Sequence, residues 1–417
     1  MPKPLINITR NHALLFAGFL VAYEFLTYIA NDMIMPGMLQ VVQSFHAPES
    51  YIASSLTAYI LGGASLQIFL GPLSDRFGRR PVMITGGVVF FLFTVLIACT
   101  QSINQFLAAR FFEGMGLCFI SVVGYATLQE IFEEMDAIRL MALMANISIL
   151  APLLGPLCGA IFVHYYSWRI IFMVIGVLAL ITLWGLWRFM PESVGQTKRD
   201  GEVIPRLGLT YRVIMNNYKS LALNPTFMLA SLGLGLLGLP CVAWIGLAPV
   251  ILVAVGKLSL IQYGLWQLPV FAAVIMGNTT LRRMTHNHSV EKLILIGSMI
   301  VVLGLLLIML MSVLFGPEYM WLFPGLIVYF FGLGIAGSPL SRFILFSTPV
   351  AKGTASALMS MVLMSLQAVG IEIANLFYTS HSNLSFSFYC AGVSLVYGGV
   401  LWGAMFCSKK KEEISIA

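Results

Sequence analysis

The chain has 417 residues, of which 59% are hydrophobic and 10% are charged, and its mean hydropathy is +0.92. Soluble domains carry about 25% charged residues, so this composition excludes a soluble protein and indicates an integral membrane protein. The net charge of +6 does not indicate nucleic-acid binding, because basic loop residues set the orientation of a membrane protein.

Twelve apolar segments are long enough to cross a bilayer as helices, since one span requires roughly 20 apolar residues. Six of them precede the long polar interval in the middle of the chain, and six follow it. The predicted spans are 13–38, 52–70, 82–99, 103–126, 138–163, 168–190, 227–253, 262–281, 293–315, 319–343, 353–377 and 386–406.

The Lys and Arg residues of the loops concentrate on one side of the predicted bundle. The opposite loops hold only Arg169 and Lys257. This asymmetry predicts that both termini lie in the cytoplasm. The basic residues expected on the cytoplasmic side are Arg76, Arg79, Arg80, Lys198, Arg199, Arg206, Arg212, Lys219, Arg282, Arg283, Lys292, Lys409, Lys410 and Lys411.

The polar interval divides the chain into two halves. The strings GPLSDRFGRRP, after the second span, and GNTTLRRMTHNH, after the eighth, share Gly, Leu and an Arg pair. Such an internal repeat is typical of transporters. The expected units are a six-helix bundle (1–191), a cytoplasmic central loop (192–224), a second six-helix bundle (225–407) and a basic cytoplasmic tail (408–417).

Two other classes of membrane protein are less well supported. A channel would more often show a re-entrant filter segment, and the sequence has none. A membrane-embedded enzyme would need a catalytic cluster, but the six histidines lie at helix ends or in loops. We therefore expect neither enzymatic activity nor a metal site.

The first span contains two acids, in YEFLTYIANDMIMPG. Glu24 and Asp32 are separated by roughly 12 Å along a helix and by about 80° around it. They can border one cavity at two depths, but they cannot share a proton directly. Tyr28 lies one turn from each acid and can form a hydrogen bond to either, and Asn31 adds a neutral donor and acceptor.

The string GPLSDRFGRRP, residues 71–81, is expected to form a tight cytoplasmic turn. Gly71 and Gly78 permit close approach or a positive φ. Asp75, between helix ends, can accept hydrogen bonds from helix N-termini or pair with an arginine. The pattern, which includes Arg76, Arg79 and Arg80, resembles the loop motif of the major facilitator superfamily.

Two further strings resemble motifs of that superfamily. ARFFEGMG in the fourth span is similar to R-x-x-Q-G, with Arg110 in place and Glu113 where Gln is usual. LAPLLGPLCGA in the fifth resembles the repeated Gly-Pro motif of drug/proton antiporters. Small residues let helices approach, and the doubled Pro-Gly pattern bends a helix. The matching residues are Pro152, Gly155, Pro156 and Gly159, while Ala151 and Ala160 replace glycines.

Nearly the whole chain closely resembles the MdfA-type multidrug/proton antiporters of bacterial inner membranes. The strings YEFLTYIANDMIMPGM, SLTAYILGGASLQIFLGPLSDRFGRRPV, GYATLQEIFEE and VGIEIA carry this resemblance. It implies an all-α membrane protein with the major facilitator fold, in which two pseudo-symmetric six-helix bundles surround a central cavity. It also implies export of lipophilic cationic and neutral drugs, chloramphenicol-like compounds included, by a monomer driven by the proton gradient without a cofactor.

The charges inside the spans suggest how such an exchange could work. A poorly hydrated cavity favours the protonated form of a carboxyl, whereas Arg110 nearby favours the ionised form. A cationic drug supplies the same charge as a proton, so the two become alternatives. We expect Asp32 to be the principal site and Glu24 the second. The alternative for either acid is a buried ion pair with Arg110 that only fixes helix packing.

Other charged residues receive weaker assignments. Glu113 either pairs with Arg110 or contacts another helix, Glu372 is a comparable case in the second half, and neither is needed for the mechanism. Glu133, Glu134 and Asp136 are expected in a solvated loop. The substrate-contacting wall implied by the resemblance is Tyr28, Asn31, Tyr125, Met144, Ser148, Ile245 and Phe271, with Arg342 reaching it or snorkelling to the interface.

Two further functions stay open. One is a major-facilitator exporter dedicated to a single metabolite, such as a siderophore or a sugar. The other is a membrane scaffold or receptor without transport activity, against which the carboxylates and the loop motif argue. Gly233, Gly235, Gly238 and Pro240 either let the seventh helix bend or simply pack.

Overall fold

The computed structural model describes residues 4–199, 201, 203–204, 211–285, 287–378 and 382–416. Arg206 falls outside these residues, and the side chains of Glu134 and Ser148 are likewise not described. Nearly every described residue between Arg10 and Ile416 belongs to a helix or to a short connection between helices.

The first half contains ten helices. A 3-10 turn at Met35–Gly37 and a π-helical segment at Phe119–Gly124 continue two of its spans. The second half has the corresponding features at Tyr319–Trp321 and Pro249–Val255. The α-helices are α1 (Arg10–Asp32), α2 (Met38–Ser44), α3 (Tyr51–Ser65), α4 (Gln67–Phe77), α5 (Arg79–Ala98), α6 (Ile103–Gly114), α7 (Gly116–Cys118), α8 (Tyr125–Ile131), α9 (Glu134–Tyr165) and α10 (Trp168–Phe189).

The central interval holds one amphipathic helix, and six long helices follow it. The amphipathic helix is α11 (Tyr211–Ala222). The six long helices are α12 (Pro225–Ala248), α13 (Leu260–Met284), α14 (Val290–Phe315), α15 (Leu322–Phe346), α16 (Lys352–Phe377) and α17 (Asn383–Ile416).

Twelve membrane spans result from these helices, as the sequence predicts. Ten helical segments of the described chain are long and apolar enough to cross a bilayer, and the pair α3 and α4, bent by 41°, forms an eleventh. The 32-residue helix α9 is the twelfth. Its start at Glu134 corrects one expectation: Asp136 is not in a solvated loop but is buried in the first turn of α9.

The two halves repeat one packing pattern. In the first half, α1 packs against α9 and α10, α5 packs against α6 and α10, and α3 packs against α6. The corresponding helices of the second half make the same pairs: α12 with α16 and α17, α14 with α15 and α17, and α13 with α15. The bundle is therefore pseudo-symmetric, as two copies of a six-helix unit require.

The halves meet closely at one end of the bundle and separate at the other. Helix α3 packs against α16 and α9 against α13, and Asn375 Nδ2 donates a hydrogen bond to the Ser50 carbonyl at 3.0 Å. A Cβ added to Gly264 would lie 2.7 Å from Leu157 Cα. The opposite end carries the Gly78 turn and α11, and we call it the basic end.

The tight turn expected within residues 71–81 occupies a single residue of that string. Residues up to Phe77 are helical, and α5 begins at Arg79, so the turn is Gly78 alone, with φ of 105°. A Cβ at Gly71 would meet only Val122 Cγ1, at 3.8 Å, so no close approach requires that glycine. Asp75 lies in the last turn of α4 rather than between helix ends.

Candidate functional site

A chain of polar side chains crosses the interior of the first half. It starts at Asp32, where Asn31 Nδ2 donates to Asp32 Oδ1 at 3.1 Å. Arg110 Nη2 donates to Asn31 Oδ1 at 2.6 Å, and Arg110 Nη1 pairs with Glu113 Oε2, also at 2.6 Å. The Thr94 hydroxyl donates to Glu113 Oε1 at 3.0 Å. The chain thus links α1, α6 and α5 through direct hydrogen bonds.

Arg110 is fixed at the centre of this chain and is 0% exposed. Its guanidinium carbon lies 4.5 Å from the centre of the Tyr59 ring, which is the geometry of a cation–π contact. The Tyr59 hydroxyl in turn donates to the Thr27 carbonyl of α1. The ion pair of Arg110 therefore forms with Glu113, and Asp32 reaches the guanidinium only through the amide of Asn31.

Helix α9 approaches α1 at the position of Asp32. A Cβ at Gly155 would lie 2.7 Å from Asp32 Cβ, and one at Gly159 would lie 1.9 Å from the Met33 carbonyl oxygen. Larger residues would force the two helices apart, so these glycines bring α9 onto the acid. Pro152 and Pro156 lie inside α9, which continues past both of them as one helix.

Asp32 also lines a narrow pocket between the two halves. Met35, Pro152 and Pro156 complete the wall from the first half, and the second half contributes side chains of α12 and α13. Asp32 is the one carboxylic acid among the lining residues. The residues from the second half are Ile245, Tyr263, Gln267 and Phe271.

Glu24 occupies a different position from Asp32. The Tyr125 hydroxyl donates to Glu24 Oε1 at 2.8 Å. Tyr125 lines a cavity of about 720 Å³ at the basic end, a volume typical of small-molecule sites. Asp32 lines the narrow pocket, whereas Glu24 is next to the larger cavity through its hydrogen bond with Tyr125.

The basic-end cavity lies between the halves and has a mixed polar lining. Neutral donors and acceptors come from both halves, and Asp75, Arg79 and Lys352 are its charged residues. Lys352 Nζ donates to the Leu345 carbonyl at 2.6 Å, which holds it at the C-terminal end of α15. The neutral polar lining residues are Gln67, Ser121, Gln129, Asn217, Thr354, Ser356 and Ser360, with the hydroxyls of Tyr125 and Tyr218.

Helix α11 is attached to the wall of this cavity. The Tyr218 hydroxyl donates to the Ile68 carbonyl at 3.0 Å. Pro72, four residues further on, has no N–H, so this carbonyl lacks an intrahelical partner. Burial raises the pKa of Tyr218 to about 12, so the hydroxyl retains its proton and remains a donor at neutral pH.

Charged groups join the helix ends around the Gly78 turn. Arg79 pairs with Asp75 and with Glu130, each at 2.7 Å. Glu192 accepts hydrogen bonds from the backbone N–H of Arg79, at 2.9 Å, and of Arg80, at 3.2 Å. Glu192, rather than Asp75, is thus the acceptor at the N-terminus of α5. Glu192 is not among the site residues predicted from the sequence, although a carboxylate directly after an apolar span is a recognisable signal.

The remaining predicted residues have varied environments. Tyr28 is half-buried against the core, and Met144 is fully buried. Arg342 is exposed, with its guanidinium 4.6 Å from the Phe346 ring centre, and it lines neither cavity. Arg80 Nη2 donates to the Trp187 carbonyl at 2.7 Å, and Arg76 stacks over Phe77 at 5.4 Å.

The seventh span shows close packing at two of its glycines and a hydroxyl beside its proline. Cβ atoms at Gly235 and Gly238 would lie within 2.9 Å of α16 side chains. Next to Pro240, the Tyr329 hydroxyl donates to the Leu237 carbonyl at 2.7 Å and accepts from the Cys241 N–H at 3.0 Å. A side chain inserted at this point is one recognised cause of helix bending.

Comparison with known sequences identifies the family. The family model described as Major Facilitator Superfamily matches residues 20–371. The multidrug transporter MdfA of Yersinia pestis bv. Antiqua (strain Angola) is 44% identical over 414 residues, which cover 99% of this chain and 98% of the relative. The MdfA of Escherichia coli O6:H1 is 43% identical over 390 residues, covering 94% and 92%.

Solved structures of distant sequences share the fold. A bacterial homologue of the human lysosomal transporter Spinster aligns with a TM-score of 0.72 at 12% identity, over 96% of this chain and 98% of the other. The xylose transporter XylE of E. coli aligns with a TM-score of 0.69 at 16% identity, over 94% and 97%. Together with the twelve spans and their repeated packing, these matches show that the chain is a multi-pass membrane protein of the major facilitator superfamily, in its MdfA-type group.

Proposed function

We propose that this protein exports lipophilic cationic and neutral drugs, chloramphenicol-like compounds included, in exchange for protons. The supporting observation is the position of Asp32, which lines a pocket between the halves and connects through Asn31 to Arg110. The relatives named multidrug transporter MdfA also support this activity. We further propose that the protein lies in the bacterial inner membrane as a monomer, with the basic end in the cytoplasm.

The exchange uses Asp32 as a site for either a proton or a drug cation. In the protonated state, the carboxyl is neutral and tolerates its apolar surroundings. A drug that enters from the basic-end cavity displaces the proton, because its positive charge compensates the carboxylate instead. The protein alternates between its two open conformations when Asp32 is protonated or paired with a drug cation. It does so poorly when Asp32 is an empty carboxylate, because an uncompensated charge inside the membrane is costly.

Glu24 is the second acid of this proposal. Its hydrogen bond from Tyr125 places it next to the wall of the basic-end cavity. A drug cation therefore meets Glu24 near the cavity before it reaches Asp32 in the narrow pocket. The residues proposed for conformational gating lie around the Gly78 turn and in α9, where charge pairs and close glycine contacts join helices of the first half.

The decisive experiment uses purified protein in lipid vesicles. An imposed pH gradient, acidic inside, is expected to drive uptake of both ethidium and chloramphenicol into vesicles whose basic-end cavity faces outward. Dissipating the gradient with a protonophore should abolish both movements, and vesicles without protein give the baseline. If neither compound responds to the gradient, the proposal fails.

A dedicated metabolite exporter remains the second candidate. The polar lining of the basic-end cavity, with Gln67, Asn217 and several hydroxyls, is the observation that favours it. Gradient-driven movement of a single polar solute, without movement of either drug, would support this second function. A protein that moves no solute under any gradient would instead fit a scaffold or receptor.

A further inference from the structure

Glu113 is a buried carboxylate that the proposed exchange does not yet use. It is 0% exposed and lies three residues from Arg110 on α6. Both of its oxygens are engaged: Oε2 contacts Arg110 Nη1 at 2.6 Å, and Oε1 accepts from the Thr94 hydroxyl at 3.0 Å. Two such contacts stabilise the ionised form of a carboxyl.

The charges along the polar chain then do not cancel when Asp32 is ionised. Asp32 and Glu113 contribute two negative charges and Arg110 one positive charge, so one negative charge is in excess. In a buried site, an uncompensated charge is unfavourable. A proton on Asp32, or a cation beside it, makes the group of three residues neutral.

We infer that Glu113 is a positioning residue that neutralises Arg110, so that Asp32 requires either a proton or a cationic substrate for charge balance. This inference rests on the proposed proton/drug exchange and specifies how its site selects positive charge. Without the charge of Glu113, Arg110 would itself compensate ionised Asp32. The protonated or cation-bound state would then carry the uncompensated charge.

The other groups around Glu113 leave this balance unchanged. Helix α3 presents Tyr59, and α5 presents Thr94, which does not titrate. Tyr23 and Tyr28 of α1 interact with Tyr59, and Cys118 of α7 interacts with Tyr23. Phenols and thiols ionise only near pH 10 and about pH 8.5 in water, so these neighbours are neutral between about pH 5 and pH 8.

The first test measures proton release on binding of tetraphenylphosphonium to the purified full-length protein across the pH range. Glu113→Gln keeps the size and an acceptor for Arg110 but removes the charge. Because Arg110 then stabilises ionised Asp32, the midpoint pH of drug-induced proton release should fall by roughly one unit. Glu113→Asp, which keeps the charge, should stay close to the wild-type midpoint.

The matched control is Glu291→Gln, which removes the same charge from the exposed first turn of α14. This control should leave the midpoint unchanged. A Glu113→Gln midpoint that equals the wild-type value, or lies above it, overturns the inference.

A second measurement keeps Glu113 native and so does not depend on the folding of its variants. In Glu24→Gln/Asp32→Asn, we expect tetraphenylphosphonium to release no proton, because Glu113 stays ionised throughout. Proton release with the wild-type amplitude in this double variant would show that Glu113 itself carries a proton, and it would overturn the inference.

Failure of the proposed exchange gives a different result. In that case the wild-type protein releases no proton on binding any drug. Affinity then tests the charge balance separately. At pH 8, Glu113→Gln should weaken tetraphenylphosphonium binding about tenfold relative to binding of neutral chloramphenicol, by loss of one compensating charge. Equal affinity changes for the two compounds would contradict the assignment.

Discussion

The two halves of the bundle repeat one packing pattern but bury different chemistry. All the buried acidic and basic side chains in the described part of the chain lie in the first half. The second half buries only neutral polar groups, such as Gln267, which accepts from Trp244 Nε1 at 2.8 Å, and Ser298, which bonds to Tyr397 at 2.6 Å. The buried charged residues are Glu24, Asp32, Arg79, Arg110, Glu113 and Asp136.

This difference shows that two halves with the same packing can bury different kinds of side chain. The repeated helix pairs give both halves the same frame. Under the proposed exchange, the buried charges make only the first half sensitive to protons. The second half contributes apolar and weakly polar side chains to the wall of the narrow pocket. A wall of this kind suits substrates of varied shape. Four substitutions can break or sharpen this comparison.

The largest effect is expected from Asp32→Asn in the first half. The amide is isosteric, but it does not titrate and has no negative charge. Proton release on drug binding should therefore vanish, and gradient-driven drug uptake should fall by about a hundredfold or more. Uptake and release are measured in vesicles and in detergent, respectively. Glu318→Gln, on the exposed surface, is the control. Proton release retained by Asp32→Asn would remove Asp32 from the coupling mechanism.

The next effect is expected from Gly159→Ala, which tests the contact between α9 and α1. The new Cβ would lie 1.9 Å from the Met33 carbonyl oxygen, so the two backbones must separate. We expect about 1–3 kcal/mol of destabilisation, as for other overpacked cores, together with at least a tenfold loss of uptake. Thermal unfolding monitors the first quantity. Gly18→Ala, where no atom lies within 4 Å, should be neutral, and equal stability of the two variants would contradict the close approach.

A smaller effect is expected from Tyr329→Phe in the second half. The variant loses the hydroxyl that joins the Leu237 carbonyl and the Cys241 N–H beside Pro240. Two lost hydrogen bonds should cost about 1–3 kcal/mol, while proton release stays at the wild-type level. Tyr389→Phe, which loses a single bond to the Gly370 carbonyl, should lower the unfolding temperature less. A shifted midpoint of proton release in Tyr329→Phe would place part of the coupling in the second half.

The smallest effect is expected from Glu372→Gln. This acid is the carboxylate within the eleventh span, and it is only partly buried on α16. If coupling belongs to the first half, drug uptake and proton release should change by less than about twofold, because a charge that water reaches contributes little. A loss as large as that of Asp32→Asn would show that both halves carry essential acids.

The sequence predicts the fold of this protein well because membrane spans leave a strong local signal. Apolar length predicts twelve spans; among the described residues ten segments and the bent pair α3 and α4 meet the requirement for a span, and α9 completes the set. The boundaries are less well predicted: α9 starts at Glu134 and buries Asp136, because a helix can continue past the edge of its apolar stretch.

The site is predicted less completely, because it depends on contacts between distant parts of the chain. Spacing separates Glu24 from Asp32 on one helix, but it does not reveal that Tyr125 binds the first acid and Asn31 the second. The partner of Arg110 was one of two open alternatives, and only the structure identifies it as Glu113. The role of Glu192 at α5 depends on a contact with residues more than a hundred positions earlier.

The two halves contribute different kinds of residue to the wall of the narrow pocket, and this division bears on how its specificity can evolve. Its acid and both prolines come from the first half, whereas Ile245, Gln267 and Phe271 come from the second. Single substitutions at the latter positions reshape the contact with a compound without altering the buried charges. Under the proposed function, a bacterial population selected by a new antibiotic would acquire altered specificity through one codon in the second half of the gene, with the buried charges of the first half unchanged.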